Sequence, residues 1–339
     1  MIDAISKLPR VQLGFYPTPL TDAKHLSSTV GGPRIFIKRE DLSGLAMGGN
    51  KARKLEFIIA DAQKHGATTL ISTASAQSNF CLQTAAAGRK FGMKSSFVLM
   101  KGVHNETQGN LLLQNLLESE VEILEVGDMS WLQGSFISDK LQAVAEKVKA
   151  RGETPYIMKH NLPEVPAILG VVGWMTVADE LEQQFTRIGL KVDYVVLANG
   201  GGGTQAGLEL GSRYLNARWK VVGVPVLNKG ELSRKLTADQ ANAAAGYLGL
   251  KVKVAPEEIE VHDEYLGPGY GIPTPESLAA IRQVAQTEGI FLDPVYTSKG
   301  MSGLIGLSKQ GRFKPSDTVV FVHTGGIPAL FAYQPEVIK

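Results

Sequence analysis

A lysine, a run of glycines and a cluster of small polar side chains carry the chemical content of this sequence, each at the start of a helical pattern. The first segment reads Gly48-Gly49-Asn50-Lys51-Ala52-Arg53-Lys54. Its glycine pair permits a tight turn and delivers Lys51 to a helix N-terminus. Positive charge is disfavoured there, and burial also favours the neutral amine, so Lys51 is placed for a lowered pKa and Schiff-base chemistry. The competing reading is a solvated basic turn, with Lys51, Arg53 and Lys54 at the surface.

The second segment, Asn199-Gly200-Gly201-Gly202-Gly203-Thr204, lies directly between an apolar run and a helical pattern. Four glycines let backbone N–H groups converge, the helix N-terminus adds its dipole, and Thr204 adds a hydroxyl, which together suit a phosphate. The spacing is not G-x-G-x-x-G, and no Lys-Ser or Lys-Thr pair marks a P-loop. A flexible strand-to-helix turn is the alternative, although four consecutive glycines are entropically costly. The third segment, Ser75-Ala76-Gln77-Ser78-Asn79, also opens a helix. Its hydroxyl, amide and N–H groups either hold a carboxylate or form an ordinary N-cap cluster.

The elements that must position these loops are legible as alternating patterns. Arg34–Lys38, Thr69–Thr73, Ser95–Met100, Val121–Val126, Tyr194–Ala198, Trp219–Val226 and Thr318–His323 read as buried strands. A helix capped by Asn50 and ended by Gly66 carries Leu55, Ile58, Ile59 and Ala62 on one stripe. Further helices are expected over Ser78–Phe91, Asp139–Ala150, Pro166–Phe185, Thr204–Leu215 and Pro275–Glu288. Strands alternating with helices predict an α/β fold with doubly wound, mostly parallel sheets and ligands at the carboxyl ends of strands.

Composition narrows the partners. The chain has 339 residues, 44% of them hydrophobic, enough for a large core or for two smaller ones sharing a cleft. Lys plus Arg number 35 against 33 Asp plus Glu, so a net charge of +2 gives no reason to expect a nucleic-acid or membrane partner. A single cysteine, Cys81, excludes an intrachain disulfide and reads as a small core residue. The N-terminus has no apolar signal-peptide core, and no stretch reaches the roughly 18 apolar residues of a membrane span. A cytoplasmic enzyme acting on a small molecule is expected. His25, His65, His104, His160, His262 and His323 show no short metal-ligand spacing, so no metal is expected. His323 is expected near the ligand pocket, and Asp263, Glu264 and Tyr265 read as a charged loop.

Six motifs in order, GGNKARKLEF, SAQSN followed by QTAAA, GTQAGL, PGYGIP, LDPVYTSKGMSGLI and HTGGIPALFAY, span nearly the whole chain. They resemble the D-cysteine desulfhydrase and 1-aminocyclopropane-1-carboxylate deaminase family. The resemblance implies pyridoxal 5'-phosphate as cofactor and the tryptophan-synthase-β-like fold type II, with the active site in an interdomain cleft. It implies a small inserted domain over 47–164, a large discontinuous domain over 1–46 and 165–339, and a homodimer.

Residue by residue, the resemblance makes Lys51 the cofactor-binding lysine that also moves the Cα proton. It places Asn79 on the cofactor's ring oxygen, and Gly200, Gly201, Gly202, Gly203 and Thr204 on its phosphate, with Lys54 as a further phosphate contact. Gln77, Ser78 and Asn79 would line the substrate-carboxylate pocket, and Tyr270 and Tyr296 would stand near the substrate as hydrogen-bonding or proton-transfer partners. Thr297 and Thr324 fall where deaminases carry Glu and Leu, which favours the desulfhydrase branch and sets a neutral hydroxyl before the ring nitrogen.

The implied reaction is α,β-elimination on a small amino acid: D-cysteine to pyruvate, hydrogen sulfide and ammonia. Two departures touch the substrate edge. Phe80 stands where relatives carry His, and Lys159-His160-Asn161-Leu162-Pro163 replaces a Gly-Gly-Ser-Asn turn. Lys159 and His160 raise an L-cysteate sulfo-lyase as one alternative, unless both are solvated loop residues. Aminocyclopropane-carboxylate deaminase is a second alternative. A carrier or sensor of pyridoxal phosphate or a nucleotide is the non-enzymatic one.

Overall fold

The apolar runs become strands of two sheets in the computed structural model of the chain, which describes residues 2–125, 135–159 and 163–338. In chain order the strands are β1 (Leu20–Asp22), β2 (Arg34–Arg39), β3 (Thr69–Ser75), β4 (Lys94–Met100), β5 (Glu120–Leu124), β6 (Pro155–Ile157), β7 (Tyr194–Asn199), β8 (Lys220–Pro225), β9 (Glu260–Val261) and β10 (Thr318–His323). One sheet has the order β1-β2-β10-β7-β8-β9 and the other β5-β4-β3-β6. Every pairing is parallel except β1 with β2, where Leu20 faces Lys38. Ile35–Lys38, Val195–Asn199 and Val319–His323 are buried without alternation, as expected of strands covered by helices on both faces.

The candidate loops all leave the carboxyl ends of strands. β3 runs into Ser75–Asn79, β7 into the glycine run, and β10 into Thr324. That is where an open α/β sheet binds ligands. Two close approaches bring the helices behind these loops together. A Cβ on Gly173 would lie 2.2 Å from the Arg53 carbonyl oxygen, and one on Gly207 would lie 2.3 Å from Trp174 Cβ. Only glycine lets the Val165–Ile188 helix press so tightly on both the Lys51–Lys64 helix and the Gly203–Tyr214 helix.

A buried ion network fixes the first turn of the Lys51 helix. Arg53 donates to both oxygens of Glu40, at 3.0 and 2.8 Å, and to both of Glu180, at 2.8 Å each. Lys38 bonds Glu180, Gln184 and the Thr18 carbonyl. Removing one member of such a network strands a buried charge, at a cost of about 3–5 kcal/mol.

Several elements depart from expectation. The Pro275–Glu288 helix and β10 have the expected limits, while the helix expected from Asp139 begins at Ser135. β5 is expected to be buried, yet among the described residues it pairs only with β4, at a sheet edge, and Val121 and Ile123 are exposed; Val126 lies outside the described residues. The short strands β1, β6 and β9 and the helices Gly230–Tyr247 and Thr297–Lys309 were not anticipated. Among the described residues no helix is long and apolar enough to cross a membrane.

Candidate active site

Lys51 opens its helix immediately after a backbone bridge. Gly49 pairs with Gly325, and the Asn50 amide donates to the Thr324 carbonyl at 2.8 Å, so the segment leaving β10 holds the turn before the lysine. Asn50 occupies the N-cap position but does not cap with its side chain, which instead donates to the Thr204 hydroxyl at 3.1 Å. Burial lowers the Lys51 pKa to about 8, against the opposing charge of Asp293. Burial, with the charge of Lys51 behind it, holds Lys54 well below the ordinary lysine range. Among the described residues neither lysine has an ion-pair partner. The solvated-turn alternative fails, because both lysines are substantially covered and Arg53 is buried in the ion network.

The glycine loop meets Lys54. Asn199 Oδ1 accepts from the Gly202 amide at 3.0 Å, and its Nδ2 donates to Gln205 and Thr237, which shapes the turn. Gly202 has φ of 90°, a conformation that side chains disfavour. A Cβ on Gly203 would stand 3.1 Å from Lys54 Nζ, and one on Gly201 would meet nothing within 4 Å. The loop is therefore a cradle with an unpaired lysine amine beside it and a helix N-terminus behind it. The Thr204 hydroxyl accepts from Asn50, which leaves its proton for a phosphate oxygen. These features fit the phosphate of pyridoxal phosphate, and the nearby Lys51 amine fits its aldehyde.

Tyr296 joins this cluster, with its ring 3.3 Å from where a Cβ on Gly200 would lie. Its hydroxyl bonds that of Tyr270 at 2.6 Å, and Tyr270 in turn meets Ser75 Oγ at 3.1 Å. Burial pushes both phenols up, so they remain protonated and act as neutral hydrogen-bonding groups. Ser78 is the N-cap of the Asn79–Lys90 helix, its Oγ accepting from the Cys81 amide at 3.2 Å. Asn79 Oδ1 accepts from Asn110 at 2.9 Å, which turns its Nδ2 toward Gly326.

Other expectations need correction. The Gln77 side chain is committed to the Gln108–Asn110 turn, donating to the Gln108 carbonyl at 3.1 Å and accepting from the Asn110 amide at 2.9 Å. It braces that turn instead of offering its amide to a carboxylate. Thr297 keeps a neutral hydroxyl, which donates to Asp293 Oδ1 at 2.7 Å. Asp293 is fully buried and also accepts from the amides of Val295, Tyr296 and Thr297. Asp293 is absent from the residues expected at the site, although an Asp-Pro turn before a helix is a capping signal.

Both ring nitrogens of His323 serve the backbone, facing the Phe291 carbonyl and accepting from the Gly325 amide. Thr324 is buried and meets the Lys51 turn through its carbonyl. Cys81 is a core residue whose thiol burial pushes up to about 12. Phe80 is likewise packed in the core. Lys159 pairs with Glu164 at 3.1 Å, while His160, Asn161 and Leu162 lie outside the described residues. Asp263 caps the Gly230–Tyr247 helix by accepting from the Gly230 amide at 2.7 Å.

Comparison with known proteins places this geometry. The pyridoxal-phosphate dependent enzyme family profile matches residues 11–325. The chain is 38% identical over 342 aligned positions to D-cysteine desulfhydrase of Salmonella paratyphi A, covering 98% of each protein. It is 37% identical to that of Salmonella choleraesuis at the same coverage. A crystal structure of an ACC deaminase homologue superposes with a TM-score of 0.87 and 34% identity, over 99% of this chain and 97% of that one. Threonine deaminase isoform 2 from Solanum lycopersicum shares the fold, with a TM-score of 0.63 and 18% identity over 95% of this chain and 82% of that one. Half-buried, unpaired Lys51 and Lys54 beside a glycine cradle, on a type II fold, are accounted for together: the chain belongs to the pyridoxal-phosphate dependent enzyme family.

Proposed function

We propose that the chain catalyses α,β-elimination on a small amino acid, with D-cysteine as substrate and pyruvate, hydrogen sulfide and ammonia as products. The observation that carries this reading is the pair of unpaired lysines one helical turn apart at the open glycine cradle, within a chain 38% identical to D-cysteine desulfhydrases. When bound, pyridoxal phosphate supplies an electron sink for the pair released at the substrate Cα.

The chain's own residues do the rest. Gly200–Thr204 and Lys54 would hold the phosphate, Asn79 Nδ2 would donate to the ring oxygen, and Thr297 and Thr324 would face the ring nitrogen. Lys51 Nζ would hold the cofactor's aldehyde, and its free amine would take the Cα proton; a pKa of about 8 keeps a useful fraction of that amine neutral near physiological pH. Ser78 and Asn79 receive the substrate carboxylate at a helix N-terminus. Tyr270 and Tyr296, held as phenols, offer hydrogen bonds to the departing sulfur. The Cα–H and Cβ–S bonds break, the proton goes to Lys51 Nζ, and the sulfur leaves with its electron pair as hydrosulfide. The remaining enamine takes up water to give pyruvate and ammonia.

Aminocyclopropane-carboxylate opening is the second reading, favoured by the 34% identical ACC deaminase homologue. Cysteate cleavage has less support, since the Lys159 charge is already matched by Glu164. The same reading takes 47–164 as a small domain inserted into a larger one formed by 1–46 and 165–339, in a cytoplasmic homodimer. The test is the visible absorption spectrum of the purified protein, then ketoacid formation from D-cysteine, L-cysteine, L-cysteate and aminocyclopropane carboxylate. Cofactor absorbance with pyruvate from D-cysteine is expected. Cofactor absorbance without turnover of any of them would leave a carrier or sensor.

A further inference from the structure

Lys299 is fully buried in the first turn of the Thr297–Lys309 helix. Its ammonium donates to the Leu266 carbonyl at 2.7 Å and to the Gly269 carbonyl at 2.8 Å. Among the described residues it has no carboxylate partner, and burial lowers its pKa to about 8. A cation near a helix N-terminus opposes the helix dipole, and an unpaired buried charge is unfavourable, so stability alone would favour an apolar side chain here.

What the two carbonyls share is their position. They precede Tyr270 by four residues and by one, and Lys299 follows Tyr296 by three. Tyr270 lies between Gly269 and Gly271, and Gly267 and Gly271 have φ of 71° and 76°. Such a glycine-rich backbone has little stiffness of its own, so the side chain it carries must be fixed from outside. On the far side of Tyr270, the Tyr333 hydroxyl donates to the Gly271 carbonyl at 2.8 Å. On the near side the tether is Lys299.

We propose that Lys299 is a positioning residue for the reaction: its ammonium ties the loop before Tyr270 to the helix after Tyr296, and thereby sets the contact between the two phenols. The inference rests on the reading of that phenol pair as facing the substrate. Lys299 touches neither substrate nor cofactor and acts through Tyr270.

The test uses the holoenzyme of Lys299→Met, which keeps most of the stem's packing, and of Lys299→Ala. Hydrogen exchange of the peptide spanning residues 266–271 reads the tether without any substrate. It is expected to accelerate about tenfold or more in both variants while the rest of the chain is unchanged. In Lys299→Ala, ammonium chloride is expected to slow it again relative to sodium chloride at equal ionic strength, because an ammonium ion fits between the two carbonyls. For D-cysteine, kcat is expected to fall roughly 10- to 100-fold with the cofactor spectrum unchanged, a range set by the cost of misplacing a reacting group. In a Tyr270→Phe background most of that loss should vanish, since the two changes act through one side chain. Unchanged exchange in 266–271, or an equal kcat loss with and without Tyr270, overturns the proposal. A parent enzyme that leaves D-cysteine untouched refutes the proposed function instead, and the exchange measurement still decides whether Lys299 is the tether.

Discussion

Asn50 donates its side-chain amide to the Thr204 hydroxyl at 3.1 Å, joining the residue before Lys51 to the first turn after the glycine cradle. The residues are 154 positions apart, and the bond sets the distance between the lysine and the proposed phosphate site. Losing one such bond costs about 0.5–1.5 kcal/mol, so Asn50→Ala should weaken pyridoxal-phosphate binding roughly 2- to 10-fold. Titration of the cofactor into the cofactor-free protein measures it. Unchanged affinity would mean that Thr204 is positioned without Asn50.

Substitutions along the cradle should separate backbone strain from obstruction. Gly201→Ala adds a methyl that meets no protein atom within 4 Å, so folding should stay near that of the parent, and any loss of affinity reads obstruction of the phosphate alone. Gly203→Ala sets a methyl 3.1 Å from Lys54 Nζ and 2.8 Å from Gln240 Oε1, and should weaken the cofactor's hold. Gly202→Val combines φ of 90° with a Cβ 2.9 Å from Gln240 Nε2, and should lower both thermal stability and affinity. Lost affinity with unchanged folding in Gly201→Ala, and lost affinity in Gly203→Ala and Gly202→Val, support the cradle. Parent affinity in all three variants counts against it.

The lowered pKa of Lys51 carries a stability signature in the cofactor-free protein. Between about 8 in the folded chain and 10.5 in the unfolded one, the unfolded state holds a proton that the folded state has released. Stability due to Lys51 therefore rises with pH across that window; below it, the charged lysine is a constant desolvation penalty. Lys51→Met should raise the melting temperature at about pH 7, with an advantage that shrinks by about pH 10. A variant that is less stable than the parent at the lower pH, or whose advantage grows with pH, contradicts the lowered pKa.

How far the sequence specified these features depends on whether their causes are local. β10 and the Pro275–Glu288 helix were legible because an unbroken apolar run and a Thr-Pro start with a Gly stop are local signals. The glycine run stands out because four consecutive glycines between a strand and a helix are entropically costly, whereas Lys51 alone reads equally as a solvated turn and takes its role from the family resemblance. The Gly230–Tyr247 helix was missed because its buried face is made of Ala238, Ala241, Ala244 and Ala245, too small to mark a period. In the Thr297–Lys309 helix, Gly300, Gly303 and Gly306 weaken the local helical signal and are there for contact with Ala198, Val224 and Tyr265. The committed side chain of Gln77, the carboxylate behind Thr297 and the burial of Lys299 arise from tertiary partners that no local pattern encodes.

Asp293 should tune the site from behind. Its charge holds the Lys51 pKa up against burial, and it accepts a hydrogen bond from the Thr297 hydroxyl at 2.7 Å. Asp293→Asn should move the Lys51 titration to lower pH and shift the acid limb of the kcat/KM profile for D-cysteine the same way. A rate profile that stays in place would mean that Asp293 serves only as a helix cap.

Substrate choice turns on whether any free cation stands at the substrate edge. Lys159 is the described candidate, and its ammonium pairs with Glu164 at 3.1 Å, with both side chains partly open to water. To recognise a sulfonate it would have to leave Glu164, and an exposed pair of this kind contributes only about 0–1 kcal/mol, so the contact itself is no firm barrier. What Lys159 lacks is burial: a charge-assisted bond formed in water returns little of the roughly 1.5–3 kcal/mol that it gives in a dry pocket. Lys159→Ala should therefore change kcat/KM for D-cysteine and for L-cysteate by less than about twofold, within the usual range of surface substitutions. D-cysteine should remain the preferred substrate, and the variant should lose little stability. L-cysteate turnover that exceeds D-cysteine turnover in the parent and collapses in Lys159→Ala would instead show that the lysine abandons Glu164 for the substrate, and would make sulfite the leaving group.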